Sequence, residues 1–221
     1  MILLRHHTRS KVHFVDTKVM DLSDKYPVTG LTEDSVVIDV GAFQGKWCRE
    51  IIKRYNCKCY LFEPTKKFAD LLKAQYEQNA KIQVISKALT DTVGKRTLHC
   101  KNNNLSNSFY VDRKYKNKPH LRDLVVKTVD LDWFFERYDE PVIDAMKINA
   151  EGSEIDIFRG MKREHAERIR KIYWAAHDHQ FYYGPDVGAM LSKLVSLGYR
   201  IEQYFNGKGK ISNRYLCEFE G

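Results

Sequence analysis

Residues 35–45 read S-V-V-I-D-V-G-A-F-Q-G, and this stretch decides the fold. The run from Ser35 to Val40 is mostly β-branched, the pattern of a strand buried on both faces. It stops at Gly41. Lys46–Tyr55 then takes up helical spacing, with Trp47, Ile51 and Tyr55 four apart. A strand that turns through glycine into a helix gathers backbone N–H groups at the turn. The glycines lack the Cβ that would hold a ligand off. Gly41 and Gly45 form G-x-x-x-G. That is neither the G-x-G-x-x-G of dinucleotide sites nor the G-x-x-x-x-G-K-[ST] of P-loops, which argues against a plain nicotinamide enzyme and against nucleotide hydrolysis.

The alternation continues outward from this turn. Cys57–Phe62 reads as a second strand ending at Glu63-Pro64, Thr65–Asn79 as an amphipathic helix and Lys81–Ser86 as a third strand. Arg96–Cys100 and Val125–Val129 are strand-like, and Leu131–Arg137 is a short helix. Val142–Ile148 is the fourth core strand, followed by a helix from Glu154 to Met161, and Ile172–Ala176 is the fifth. Val187–Leu197 is helical and stops at Gly198. Arg200–Gln203 and Tyr215–Glu220 form a closing hairpin around Asn206–Lys210. Strands alternating with helices predict an α/β fold with a mostly parallel sheet and helices on both faces. Residues 1–30 read as a lead-in segment packed on the domain, with a helix near Asp16–Tyr26, and residues 31–221 as the domain itself. Lys101–Arg122 is polar and aperiodic, the signature of a functional loop.

The chain has 221 residues, 43% hydrophobic and 30% charged, enough for one core. No apolar run approaches the roughly 18–20 residues that span a bilayer. The apolar start Met1–Leu4 meets Arg5 at once and is too short for a signal-peptide core. The expectation is a cytoplasmic protein with no membrane span. Cys48, Cys57, Cys59, Cys100 and Cys217 lack zinc-knuckle spacing and read as reduced, buried thiols. Trp133 and Trp174 read as core. The net charge of +8 favours anionic partners weakly.

D-V-G-A-F-Q-G (Asp39–Gly45) and L-F-E-P (Leu61–Pro64) look like the first two motifs of class I methyltransferases. V-V-K-T-V-D-L-D-W-F-F (Val125–Phe135) and D-A-M-K-I-N-A-E-G-S-E-I-D-I-F-R-G-M (Asp144–Met161) narrow the choice. Together they resemble the FkbM-type methyltransferase family, over about Val36 to His179. The resemblance implies one Rossmann-like class I domain, with a mostly parallel seven-stranded sheet and an antiparallel C-terminal strand. It implies S-adenosylmethionine as cofactor. By the same resemblance Asp39, Gly41, Ala42, Gly45 and Glu63 fall to that cofactor, with Glu63 accepting from the ribose hydroxyls. Ala88 and Leu89 fall near the adenine, and Asn104, Ser106 and Asn107 near the methionyl tail. Two positions depart from the family pattern. Asn149 stands where an acid follows K-I, and Ala175 stands where an acid precedes the histidine.

Many members of that family methylate hydroxyls of sugars or natural products. A hydroxyl is a poor nucleophile while protonated, so a base or a metal must help. Candidates end strands four and five: Asn149 and Glu151, then His177, Asp178 and His179. His177 or His179 is the expected general base, because an unperturbed imidazole is largely neutral at pH 7. Glu151, His177 and His179 also form a set that permits divalent Mg or Mn. Gln180, Phe181, Tyr182 and Tyr183 offer an aromatic surface suited to sugar faces. The leading expectation is O-methylation of a sugar or glycan. The alternatives are an RNA ribose or cap O-methyltransferase, for which Lys147 and Glu151 supply part of a tetrad, and a non-catalytic S-adenosylmethionine-binding module, suggested by Asn149.

Overall fold

A computed structural model describes residues 28–100, 107–111, 122–177, 186–205 and 211–221. Strands β1 (Val36–Val40), β2 (Lys58–Phe62), β3 (Ile82–Ile85), β7 (Ala145–Ile148), β8 (Lys171–Ala175), β9 (Tyr199–Phe205) and β10 (Ile211–Phe219) form one seven-stranded sheet. Its order is β3-β2-β1-β7-β8-β10-β9. The first five strands are parallel, and β10 pairs antiparallel with both β8 and β9. The expected closing hairpin is therefore present, with β10 wedged between β8 and β9. Its turn, Asn206–Lys210, lies outside the described residues, as does the expected helix near Asp16–Tyr26.

Alternate residues of the parallel strands feed two cores. Ile38, Val40, Tyr60, Phe62, Met146 and Trp174 point to one face. There they meet α3 (Leu131–Tyr138), α4 (Glu154–Gly160), α5 (Arg163–Arg168) and α6 (Val187–Ser196). Val37, Cys59, Leu61 and Tyr173 point to the other face, against α1 (Lys46–Tyr55) and α2 (Lys66–Gln75). Burial on both faces is what the apolar residues of β1, interrupted only by Asp39, require. All five cysteines are free and buried. Trp174 is fully buried and stacks on Tyr215 at 4.8 Å. Trp133 packs against the core but is only half-buried, and the Lys87 ammonium sits 3.9 Å from its ring centroid.

A second sheet was not foreseen. β4 (Ala88–Leu89), β5 (Gly94–Cys100) and β6 (Arg122–Val129) form three strands in the order β4-β6-β5. Asp156 of α4, almost fully buried, ties this sheet down. It accepts from Arg96 Nη1 at 2.7 Å and from the Tyr110 hydroxyl at 2.7 Å. No helix among the described residues is long and apolar enough to cross a membrane.

Candidate functional site

The order of the large sheet reverses beside β1, where the chain runs outward to β2 and β3 on one side and later returns to β7 on the other. Ligands of open α/β sheets bind at such a point, beyond the carboxyl ends of the strands. A cavity of about 520 Å³ lies there. Gly41, Ala42 and Phe43 after β1, Glu63 after β2 and Asn149 to Glu151 after β7 all line it. The small sheet covers it with Ala88, Leu89 and Leu98, and Asn107 and Phe109 complete that wall.

The turn after β1 is built on left-handed backbone. Gly41, Phe43 and Gly45 have φ of 74°, 51° and 69°. A Cβ on Gly41 would stand 2.2 Å from the Asn149 carbonyl oxygen, so only glycine lets β1 and β7 approach this closely. Phe43 takes the left-handed conformation without being glycine, at a cost of about 1–3 kcal/mol. Two contacts offset it. Its N–H donates to Glu63 Oε2 at 2.8 Å, and its ring packs on Phe68 at 4.3 Å. Gly45 does not line the cavity; a Cβ there would meet Leu72 Cδ2 of α2 at 2.6 Å, so helix packing leaves no room for one.

Glu63 is buried and accepts from two backbone donors, Phe43 N–H and Thr65 N–H, each at 2.8 Å. Each carboxylate oxygen is thereby held by one backbone donor, which fixes the group at the cavity wall. Burial raises its carboxyl above the ordinary value, the two backbone donors and the Thr65 side chain oppose that, and Asp39 adds to the rise.

Asp39 and Lys147 lie directly opposite each other across β1 and β7. They form a buried ion pair at 2.8 Å. Lys147 Nζ also donates to the carbonyls of Gly41 at 3.1 Å and Val40 at 3.4 Å. Lys147 thus closes the floor under the turn, a role its bare sequence position does not announce. Asp39 itself does not line the cavity, but its Oδ2 is buried without a hydrogen-bond partner among the described residues. A carboxylate oxygen in that state calls for a donor. The Glu63 carboxylate and the cradle at Gly41 both face the cavity and fit the ribose and methionyl parts of S-adenosylmethionine. Ala88 and Leu89, buried and apolar, fit its adenine.

At the β7 end, Glu151 has φ of 52°, again left-handed without being glycine. Its carbonyl accepts from the Ser108 hydroxyl. Glu154, fully buried, holds the same loop by accepting from Ala150 N–H and Gly152 N–H, each at 2.8 Å. Glu154 also bonds His177 Nδ1 at 3.0 Å, which leaves Nε2 facing Glu151 Oε2 at 3.7 Å. Burial pulls the imidazole down. The charge and hydrogen bond of Glu154, then the charge of Glu151, outweigh that and push it up to about 9. The two carboxylates thus favour the charged imidazole over the expected neutral one, and His177 does not line the cavity. Asn149 and Glu151 do line it. His179, Ser106, Asn104 and the aromatic run Phe181–Tyr183 lie outside the described residues. Asp132, Glu164 and His165 also stand close together, but Lys162 bridges the two carboxylates and its backbone N–H is received by His165 Nδ1, an arrangement complete without a metal.

A family model described as the methyltransferase FkbM domain matches residues 39–201. No curated protein matches the sequence. Among solved structures, the METTL16 methyltransferase domain is similar with a TM-score of 0.51 and 11% identity, over 90% of this chain and 63% of that one. An rRNA methylase from Streptococcus thermophilus is similar with a TM-score of 0.49 and 12% identity, over 86% of this chain and 89% of that one. At such identities the likeness is one of fold.

Lys147→Met strands the buried Asp39 charge, and urea unfolding is expected to show a loss of about 3–5 kcal/mol; a loss under 1 kcal/mol would mean the pair is not holding the turn. His177 gives a pH signature. Its folded value of about 9 lies above the ordinary 6.5, so its stabilising contribution is complete below pH 6.5 and is lost as pH rises through 9. NMR titration of the metal-free protein is expected to find His177 titrating near pH 9, and lower in Glu154→Gln. Titration at the ordinary value in both proteins would refute the ion-pair reading.

Proposed function

This chain belongs to the FkbM methyltransferase family, and from that premise we propose that it moves a methyl group from S-adenosylmethionine to a hydroxyl of a sugar or glycan. The methyl transfer follows from the family. The hydroxyl acceptor is our reading, and one observation carries it: Glu151, a carboxylate lining the cavity, is braced by Glu154 and Ser108 in a backbone conformation that other residues would avoid.

When bound, the cofactor supplies a methyl carbon on a cationic sulfur. The chain's own task is to align a hydroxyl with that carbon, at about 3–3.5 Å, and to receive its proton. Glu151 receives the proton as the oxygen closes on the carbon. His177 acts behind it, its charge holding the Glu151 carboxylate in place, and Asn149 offers an amide to orient the acceptor. The base is thereby assigned to Glu151 rather than to a histidine. Mg or Mn would be held by Glu151 Oε2 and by His177 Nε2 only once that nitrogen had given up its proton, with Glu154 orienting the imidazole from its far side; the metal would supply polarisation of the hydroxyl. Turnover that survives EDTA would remove the metal from this reading. The RNA alternative relies on Lys147 as a catalytic lysine, and Lys147 is already spent on Asp39 and two carbonyls.

Calorimetric titration with S-adenosylhomocysteine is expected to show saturable binding that weakens in Glu63→Ala by about 1–3 kcal/mol, the scale of lost charged hydrogen bonds. Unchanged binding would overturn the ribose assignment. With a panel of sugars as acceptors, Glu151→Gln is expected to lower kcat by about 10²–10⁴ while leaving cofactor affinity intact. Methylation of RNA but of no sugar in the panel would overturn the acceptor class.

A further inference from the structure

The outer face of the small sheet carries a charge arrangement that its own packing does not explain. Its inner face is apolar, with Leu98, Cys100 and Val126 buried. On the outer face Lys95 of β5 lies directly opposite Lys127 of β6. Like charges facing each other across strands destabilise a sheet. On the other side of β6, Ala88 of β4 pairs with Thr128, so the preceding residue, Lys87, extends the row beside Lys127. Three lysines therefore cross three strands at the inter-strand spacing of about 4.8 Å. A lysine on the edge strand β5 has an ordinary purpose, discouraging edge-to-edge pairing. Lys127, on the central strand, has no such purpose.

Two further features mark this row. Lys87 and Arg137 both gather on the ring of Trp133, at 3.9 and 5.7 Å from its centroid. The ring pins two side chains that would otherwise be mobile, so less freedom is lost when they grip a ligand. The Lys87 ammonium is also held below the ordinary lysine value, by burial first and then by Lys127 and Arg137. No acidic side chain among the described residues forms an ion pair with Lys87, Lys95, Lys127 or Arg137. Val125, 72% exposed, lies on the same face.

We propose that Lys87, Lys127 and Lys95, with Arg137 held on Trp133, form a docking surface for an anionic glycan. The row fits a polymer with repeated negative charges, and the overall +8 charge steers such a polymer toward the protein. The choice of a glycan over other polyanions rests on the sugar-acceptor reading above. β4, which Lys87 leads into, carries Ala88 and Leu89 into the cavity wall. The surface thus borders the cofactor site without being part of it.

The test uses the full chain, with dextran sulfate and neutral dextran as probes that share a backbone and differ in charge. Surface plasmon resonance is expected to show binding to dextran sulfate alone, weakening with added salt. The combined variant Lys87→Ala, Lys95→Ala, Lys127→Ala is expected to bind at least about tenfold more weakly, and the corresponding arginine variant to retain binding. S-adenosylhomocysteine affinity, expected to be unchanged in both variants, reports that each is folded. Equal binding of dextran sulfate by the alanine variant would overturn the proposal. So would an oligouridylate that binds more tightly than dextran sulfate at equal charge and depends on the same lysines, because the partner would then be nucleic acid. Methylation of small sugars is read separately: its absence with docking intact sinks the acceptor reading, and its presence with docking lost sinks only the surface.

Discussion

The arrangement at the centre of this protein depends on a charge pair in the middle of the sheet. Asp39 and Lys147 face each other from adjacent parallel strands, both buried. An unpaired charge there would be costly, so each requires the other. Through Lys147 the pair also binds the carbonyls of Val40 and Gly41, the last residues before the chain turns. The end of β1 is thus anchored to β7 just where the cavity opens. Everything beyond that point is placed relative to this anchor: the left-handed turn, the Glu63 carboxylate it donates to, and the Asn149 carbonyl that tolerates no Cβ on Gly41.

Two buried carboxylates on α4 do comparable work on the other wall. Glu154 holds the loop that carries Glu151 and sets the orientation of His177. Asp156, two residues further along the helix, holds Arg96 and Tyr110 and so keeps the small sheet over the cavity. One short helix therefore couples the β7 end of the cavity to its cover. The left-handed conformations of Phe43 and Glu151 persist because such bonds over-determine them. Both residues line the cavity, where strain that fixes a side chain is useful.

The parallel order of the core was legible because burial on both faces leaves its mark in the largely apolar runs of β1 and β8. The turn after β1 was legible because left-handed backbone favours glycine; the closeness of Leu72, which leaves no room for a Cβ on Gly45, was not. The small sheet was not legible as a separate layer. Arg96–Cys100 and Val125–Val129 look like any half-buried strands, and no local pattern says which sheet they join. Trp133 was only partly legible for a related reason, since an aromatic residue on an amphipathic helix is equally at home in a core or under a lysine.

By itself the sequence determined the class of fold and the family, because these depend on local periodicity, on glycine and on short motifs. Only the tertiary structure decided how Lys147 and His177 are used. Lys147 meets Asp39 across 108 positions of chain, and His177 meets Glu154 across 23. Those meetings follow from strand order, which a local pattern does not carry. Once made, they bear on charge: a lysine committed to the floor of the turn, and an imidazole whose charged form two carboxylates favour.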